Sequence, residues 1–266
     1  MKTSSELMTL NDLIREFEGK KVIIPLLQRN YKWDKEIKGA KEGEATAEKL
    51  LNDILNSWQD KRQEYTIGMA TFYSAQGEED RVQIIDGQQR MITLSLIVKA
   101  LDCYDRFVPI EFERDTDMKE REKFLLEGND EDFSEESVDV RHMAAVYKLL
   151  KDKLSRYQCR EDIYHWMLSG VKIICRYTEN EPLQEFLNLN EKKTPFSSTD
   201  YDRAYQMKHQ YEEQKITPEM IIKEHNEIEK YLYTNEAIFE LIQKRYSQVP
   251  NRMDLLFEKI KEGLGK

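Results

Sequence analysis

Apolar residues recur along this chain with two different periods, and the switches between them mark out its elements. Leu10, Leu13, Ile14 and Phe17 form a helical stripe behind the capping sequence Thr9-Leu10-Asn11-Asp12, and Gly19 ends it. Lys21 to Ile24 reads as a short strand closed by Pro25, and the charged stretch 35–44, with Gly39 and Gly43, as a loop. Ala47, Leu50, Leu51, Ile54, Leu55 and Trp58 predict a helix over 45–58. Tyr65 to Ser74 and Arg81 to Ile85 flank the polar turn Gln76-Gly77-Glu78-Glu79-Asp80, which predicts a hairpin. A long apolar helical pattern then leaves Gly87 and runs to about Phe107. Helix, strand, helix, hairpin, helix describes an α+β unit with a small sheet.

Beyond Pro109 the pattern changes. Thirteen Asp or Glu stand against four Lys or Arg between Glu111 and Asp139, a solvated helix and loop tethered by Phe124, Leu125 and Leu126. Val140 to Leu154 predicts a helix with Met143, Val146, Tyr147, Leu150 and Leu154 on one face. Val171 to Cys175 predicts a short buried strand, and Pro182 the first position of a helix reaching about Leu189. Helices are expected again over 201–213, 218–232, 237–246 and 253–260. The expected organisation is one domain over 1–108 and a mainly helical one over 109–266, with 185–200 returning to the first domain's pocket.

The junction Val82-Gln83-Ile84-Ile85-Asp86-Gly87-Gln88-Gln89-Arg90 places an Asp, two Gln and an Arg between strand and helix, where a core would be apolar. At about 100° per residue, Gln88, Ser95, Lys99, Asp102 and Arg106 fall on one stripe that should face water. Arg90 lies opposite, with Thr93, Leu94, Ile97 and Leu101, so it should point inward. A cation in a first helical turn opposes the helix dipole unless an anion sits there. Two readings stay open at this point: a phosphate held by Arg90 and backbone N–H groups, or an internal ion pair of Arg90 with Asp86 or another carboxylate. A second polar cluster after a strand, Gln28, Arg29 and Tyr31, supplies another guanidinium. Two arginines and a helix N-terminus suit a di- or triphosphate. Asp86 could hold Mg²⁺ or position water, and Gln88 or Gln89 could orient that water, as a glutamine does in some GTP-hydrolysing enzymes. The spacing points to anion binding and leaves hydrolysis open.

Composition narrows the classes. With 266 residues, 39% apolar and 35% charged, the chain can bury a core and is rich in polar surface. A net charge of −10 argues against a general nucleic-acid coat, though a local basic groove is compatible with it. No run of about 18 apolar residues and no signal-peptide core occur, so a cytoplasmic protein that does not enter the membrane is expected. Cys103, Cys159 and Cys175 are odd in number and lack a CxxC pair, which suits a reducing compartment and no zinc site. His142, His165, His209 and His225 are scattered, and no GxSxG, Walker A, GxGxxG or HExxH pattern is present.

The two polar clusters also carry a family resemblance. Ile24-Pro25-x-x-Gln28-Arg29-x-Tyr31-x-Trp33 followed by Ile85-Asp86-Gly87-Gln88-Gln89-Arg90-x-x-Thr93-Leu94 resembles the N-terminal domain of GmrSD-type restriction proteins, long labelled domain of unknown function 262. Tyr65-Thr66-Ile67-Gly68 resembles the family's intervening strand with its Gly. Phe186-x-x-x-Asn190-Glu191-Lys192-x-x-Pro195-Phe196-x-x-x-Asp200 is similar to its third motif, with Lys193 where the family usually has Gly. The resemblance spans about residues 7 to 205. It implies a ParB/sulfiredoxin-like mixed sheet with helices, followed by a mainly helical half, in which the Asp-Gly-Gln-Gln-Arg (DGQQR) segment binds nucleotide.

By that resemblance the chain is expected to be a nucleotide-binding, NTP-hydrolysing sensor in phage defence or modification-dependent DNA restriction. Asp86, Gln88, Gln89 and Arg90 are the expected catalytic residues, with Asp86 on Mg²⁺. Gln28, Arg29, Tyr31 (stacking on the base), Gly87, Arg90, Thr93, Asn190, Lys192 and Asp200 are expected around the nucleotide. Expected partners are an NTP, DNA that carries a modification, and an HNH nuclease domain or subunit, since no HNH histidine pattern occurs in these 266 residues. The rival expectation is a binding module that regulates a partner nuclease without hydrolysing anything.

Overall fold

A computed structural model of the chain describes residues 4–26, 28–34, 46–78, 80–113, 120–128 and 138–191, with Met220, Lys223, Glu224, Glu227, Ile228 and Tyr231. In chain order the elements are β1 (Ser4–Thr9), α1 (Leu10–Glu16), β2 (Lys21–Ile24), α2 (Thr46–Gln59), β3 (Tyr65–Tyr73), β4 (Arg81–Asp86) and α3 (Gln88–Ala100). A 3₁₀ turn (Tyr104–Arg106), β5 (Ile110–Phe112), α4 (Glu120–Leu126), α5 (Val138–Leu154), α6 (Arg160–Gly170), β6 (Val171–Thr178) and α7 (Pro182–Glu191) follow. The loop expected over 35–44 and the helices expected after 200 fall outside the described residues, apart from those six, of which Met220, Lys223, Glu224, Glu227, Ile228 and Tyr231 are all helical.

The strands make one mixed sheet in the order β1-β6-β3-β4-β2-β5. The expected hairpin is present as the antiparallel pair β3–β4. β6 lies parallel to β3, β2 parallel to both β4 and β5, and β1 antiparallel to β6 at one edge. The α+β expectation therefore holds. α1 starts where it was expected to: Thr9 accepts from the Asp12 amide at 3.1 Å, and Asp12 accepts in return from Thr9 N at 3.2 Å.

By its internal contacts the chain divides into two units, Met1–Phe186 and Leu187–Lys266. The boundary expected after residue 108 falls inside the first of these. The reason is sheet pairing: β5 and β6 lie beyond residue 108, yet β6 bonds to β3 and β1, and β5 to β2. β1, β5 and α6 were not expected. β1 is four-sixths exposed and shows no alternation, so only its pairing with β6 makes it a strand.

α3 corrects the helical-wheel reading. Twelve of its thirteen residues are buried, and Arg90 is the one that is not. A helix apolar on all sides belongs in the centre of a fold, and the polar stripe of Gln88, Ser95 and Lys99 is covered rather than wet. Ser95 donates to the carbonyl of Met91 at 3.0 Å. Lys99 donates to the carbonyl of Leu126 at 3.3 Å with its ammonium 5.5 Å from the Tyr147 ring, and burial holds its pKa below the ordinary value. Buried polar groups with local acceptors mimic an exposed face on a helical wheel. The helix also ends at Ala100, short of Phe107, in a turn where Asp102 has φ 63°.

The thiols differ in accessibility. Burial pushes Cys103 up to about 11, with Glu161 adding to it, and burial pushes Cys175 up to about 12. Cys159 is half-buried at the start of α6. Since the thiolate is the reacting form, one thiol, Cys159, should titrate with Ellman's reagent in native protein at pH 8, and three in denaturant. Cys103→Ala leaving the native count unchanged, and Cys159→Ala removing it, is the expected pair of results.

Candidate functional site

The two polar clusters meet. β2 stops at Pro25, so the carbonyls of Ile84 and Ile85 on the neighbouring β4 run on past their strand partner. Ile85 is also the extra residue of a bulge between β3 and β4, because Thr71 pairs with Asp86 and Phe72 with Ile84. The buried amide of Gln28 takes over, donating to Ile84 O at 3.3 Å and Ile85 O at 2.6 Å. From there the loop lies on the head of α3. Gln88 donates to the carbonyl of Arg29 at 2.8 Å. Gln89 donates to the carbonyl of Asn30 at 3.0 Å and accepts from Lys32 N at 2.8 Å, so both ends of its amide read loop backbone.

These contacts revise several expected roles. Tyr31 is 1% exposed, its hydroxyl 2.7 Å from Thr93 Oγ1, so its ring has no open face for a base. The Thr93 hydroxyl itself donates to the carbonyl of Gln89 at 2.8 Å. Tyr31 is therefore the donor of the pair, in keeping with burial pushing its phenol well above the ordinary range. Gln28 fastens the loop to β4, and Gln88, Gln89, Tyr31 and Thr93 fasten it to α3. Of the site residues expected in the two motifs, Arg29, Asp86, Gly87 and Arg90 stand outside that fastening.

Arg90 sits in the first turn of α3, where no acidic side chain is present and the N-cap, Gly87, offers no capping side chain. Its Nη1 donates to the carbonyl of Met69 on β3. Among the described residues no carboxylate pairs with it, so the internal ion-pair reading with Asp86 has no support in the geometry. Gln88, expected to face water, is buried, whereas Arg90, expected to point inward, is half-buried with its guanidinium against β3. β3 forms the floor beneath. Gly68, at φ +105°, leaves room for the guanidinium, since a Cβ there would stand 3.3 Å from Arg90 Nε. Gly87, at φ +92°, lets the helix start against β3, because a Cβ there would stand 2.9 Å from Ala70 Cβ. The first helical bond runs from Met91 N to Gly87 O, so the three amides of Gln88, Gln89 and Arg90 precede it and aim out of the helix end.

Asp86 ends β4 half-buried, with Thr71 as its cross-strand partner. Thr71 is fully buried, its hydroxyl has no hydrogen-bond partner among the described residues, and it is also the register partner of Arg176 on β6. Asp86, Thr71 and Arg176 thus share one face of the sheet in one cross-strand row. Arg176 in turn donates to the buried carboxylate of Glu185 at the start of α7, which also accepts from Asn180 Nδ2 at 2.5 Å. Sequence reading missed Thr71 and Arg176, because nothing local marks a strand residue that pairing alone brings beside Asp86. Arg29 is exposed on the fastened loop. Lys192 and Asp200, and the side chain of Asn190, lie outside the described residues.

No helix among the described residues is long and apolar enough to cross a membrane. Comparison with curated proteins returns no match. The family described as GmrSD restriction endonuclease, N-terminal domain, matches residues 10–207, which include the loop after β2, the β3 floor and the β4–α3 junction. Matched over most of its length, the chain belongs to the GmrSD restriction endonuclease N-terminal domain family.

Proposed function

We propose that this restriction-family module binds a nucleoside triphosphate by its phosphates at the head of α3, and uses that ligand to regulate cleavage of modified phage DNA. The observation that carries the reading is Arg90. A guanidinium with no carboxylate partner among the described residues, at the positive end of a buried helix, lacks the anion that both the charge and the dipole favour. Arg29, presented from a loop whose backbone is bonded to the same helix end, supplies the second guanidinium of a phosphate clamp.

A Mg²⁺ ion fits the residues present. Asp86 offers one carboxylate, and the buried hydroxyl of Thr71, without a hydrogen-bond partner among the described residues, stands in the same cross-strand row. Mg²⁺ is commonly held through one or two carboxylates together with substrate phosphates and water. In that arrangement Asp86 is the metal-side residue, and Arg90 and Arg29 carry the phosphate charge. The ion would neutralise phosphate oxygens.

Binding without turnover is the stronger half of the proposal. The glutamines that would orient an attacking water, Gln88 and Gln89, have their amides on the backbone of the loop. Hydrolysis keeps one feature in its favour, Asp86, and would need the water placed by that carboxylate. Strand scission is assigned to an HNH nuclease domain or subunit, with DNA, the NTP and Mg²⁺ as the other partners, in the bacterial cytoplasm. The acidic stretch 111–139 repels a phosphate backbone and so directs DNA elsewhere on the assembly.

Thermal unfolding with each of ATP, GTP, CTP and UTP plus Mg²⁺, read beside phosphate release, separates these readings. A ligand present at about 100 times its Kd stabilises by about 2.7 kcal/mol, which for a unit of this size is a shift of roughly 5–10 °C. A shift with at least one NTP and no phosphate release is the expected outcome. Release that disappears in Arg90→Ala would instead favour hydrolysis, and four unshifted transitions would sink nucleotide binding altogether.

A further inference from the structure

The loop that carries Arg29 is fixed from two sides, by α3 and by the start of α5. Residues 29–32 are held at four consecutive backbone positions: the carbonyls of Arg29 and Asn30, and the amides of Tyr31 and Lys32. Three of those four bonds come from Gln88 and Gln89 on α3. The fourth comes from Asp139 at the start of α5, whose Oδ1 accepts from Tyr31 N at 2.7 Å. Its other oxygen, Oδ2, accepts from Arg121 Nε of α4 at 2.6 Å. Both partners are buried, Asp139 to 4% and Arg121 to 9% exposure.

The chain of bonds continues through the Tyr31 side chain. Its hydroxyl donates to Thr93, which donates to the carbonyl of Gln89, the residue that reads the loop on the other side of Tyr31. A buried ion pair between two helices is costly to desolvate, and apolar residues of similar volume would often stabilise the fold at least as well. Its position here gives it a different use. The charge on Asp139 strengthens one hydrogen bond to one loop amide, and Arg121 fixes the rotamer of the carboxylate that accepts it.

We propose that Arg121 and Asp139 are positioning residues of the phosphate site, holding the Arg29 loop against the head of α3 through the amide of Tyr31. Their link to ligand binding rests on the phosphate reading given above; their hold on the loop does not. With the carboxylate in place, Arg29 projects from a loop of one conformation and adds to the clamp at little entropic cost. Without it, the amide of Tyr31 is an orphan and the loop peels from the α5 side.

Two double variants of the full chain test this, each removing both charges of the Arg121–Asp139 pair. Arg121→Met with Asp139→Leu removes the acceptor, whereas Arg121→Met with Asp139→Asn keeps an amide oxygen for Tyr31 N. In the Leu variant, hydrogen exchange should rise roughly tenfold in the peptide spanning 28–33 and stay unchanged in β3 and α3. Binding of inorganic tripolyphosphate with Mg²⁺ should weaken roughly fivefold, and adding Arg29→Ala should then weaken it no further. The Asn variant should restore both readings. Exchange that stays slow in the loop, or rises evenly over the whole chain, overturns the proposal, as does an Asn variant as loose as the Leu one. Loop loosening in a protein whose wild type never binds tripolyphosphate overturns the phosphate reading, and leaves the Asp139 contact with Tyr31 standing.

Discussion

Replacing Arg90 by alanine should remove nucleotide binding and leave the fold almost untouched. The side chain is the one unburied position of α3, and its contacts among the described residues are a hydrogen bond to the carbonyl of Met69 and packing on Gly68. Losing one such bond at a partly exposed position costs about 1 kcal/mol of stability. Losing a guanidinium that makes two charge-assisted bonds to phosphate costs about 3–6 kcal/mol of binding, a fall in affinity of at least roughly a hundredfold. Arg90→Lys should recover only part of it, because an ammonium cannot fork across two phosphate oxygens. Titration calorimetry with the NTP that gives the largest thermal shift is the measurement. A folded Arg90→Ala protein that binds as tightly as wild type would leave the site reading without its main support.

Gly87→Ala should be strongly destabilising, because strain and overpacking act together at this position. The residue stands at φ +92°, where an L side chain costs about 1–2 kcal/mol. The added carbon would also lie 2.9 Å from Ala70 Cβ, 3.0 Å from Ala70 Cα and 3.2 Å from the carbonyl of Met69. Those atoms belong to a strand bonded on both sides, to β4 and β6, so β3 cannot withdraw. Overpacking of this kind adds about 1–3 kcal/mol, and the sum lowers the unfolding temperature by roughly 5–15 °C. Ala70→Gly on the same background should return part of the loss, because it removes one of the three close contacts and leaves the strained φ. Equilibrium denaturation of the two variants decides the matter; a Gly87→Ala protein as stable as wild type would mean that the helix start is not seated on β3 as described. Gly68→Ala should be gentler on stability, since the nearest atoms belong to the flexible Arg90 side chain, and should act on binding by displacing that guanidinium.

The fastening between loop and helix explains why the two motifs go together. Arg29 is useful only if its loop returns to the same place, and Gln28, Gln88 and Gln89 all hydrogen-bond to main chain for that purpose. Reading backbone with an amide is insensitive to the neighbouring side chain, so the main chain of Asn30 and Lys32 is held whatever their side chains do. The same economy applies to Tyr31, whose ring fills the core while its amide and hydroxyl bond to α5 and α3.

Much of the local structure was legible. Thr9, Gly19, Pro25, the hairpin turn and Pro182 act through their own backbone preferences, and the elements they bound appear where those preferences put them. The two polar clusters were visible as one site, because polar residues at a strand-to-helix break need a reason wherever the chain goes next. What each of them does was not visible. A glutamine in a motif reads alike whether its amide meets water, a ligand or a carbonyl 59 positions away.

The sequence by itself determined the helix starts, the hairpin, the α+β class and the presence of a cationic helix head, because each depends on residues within a few positions of one another. The tertiary structure alone decided which side of α3 is wet, which backbone groups the glutamines bond, and that β1, β5 and β6 join β3, β4 and β2 in one sheet. It also set Asp139 behind the Arg29 loop, across more than a hundred residues of chain, with Arg121 beside it. Burial and long-range pairing are properties of what surrounds a residue, and a helical wheel or a strand pattern contains no record of the neighbours that folding will supply.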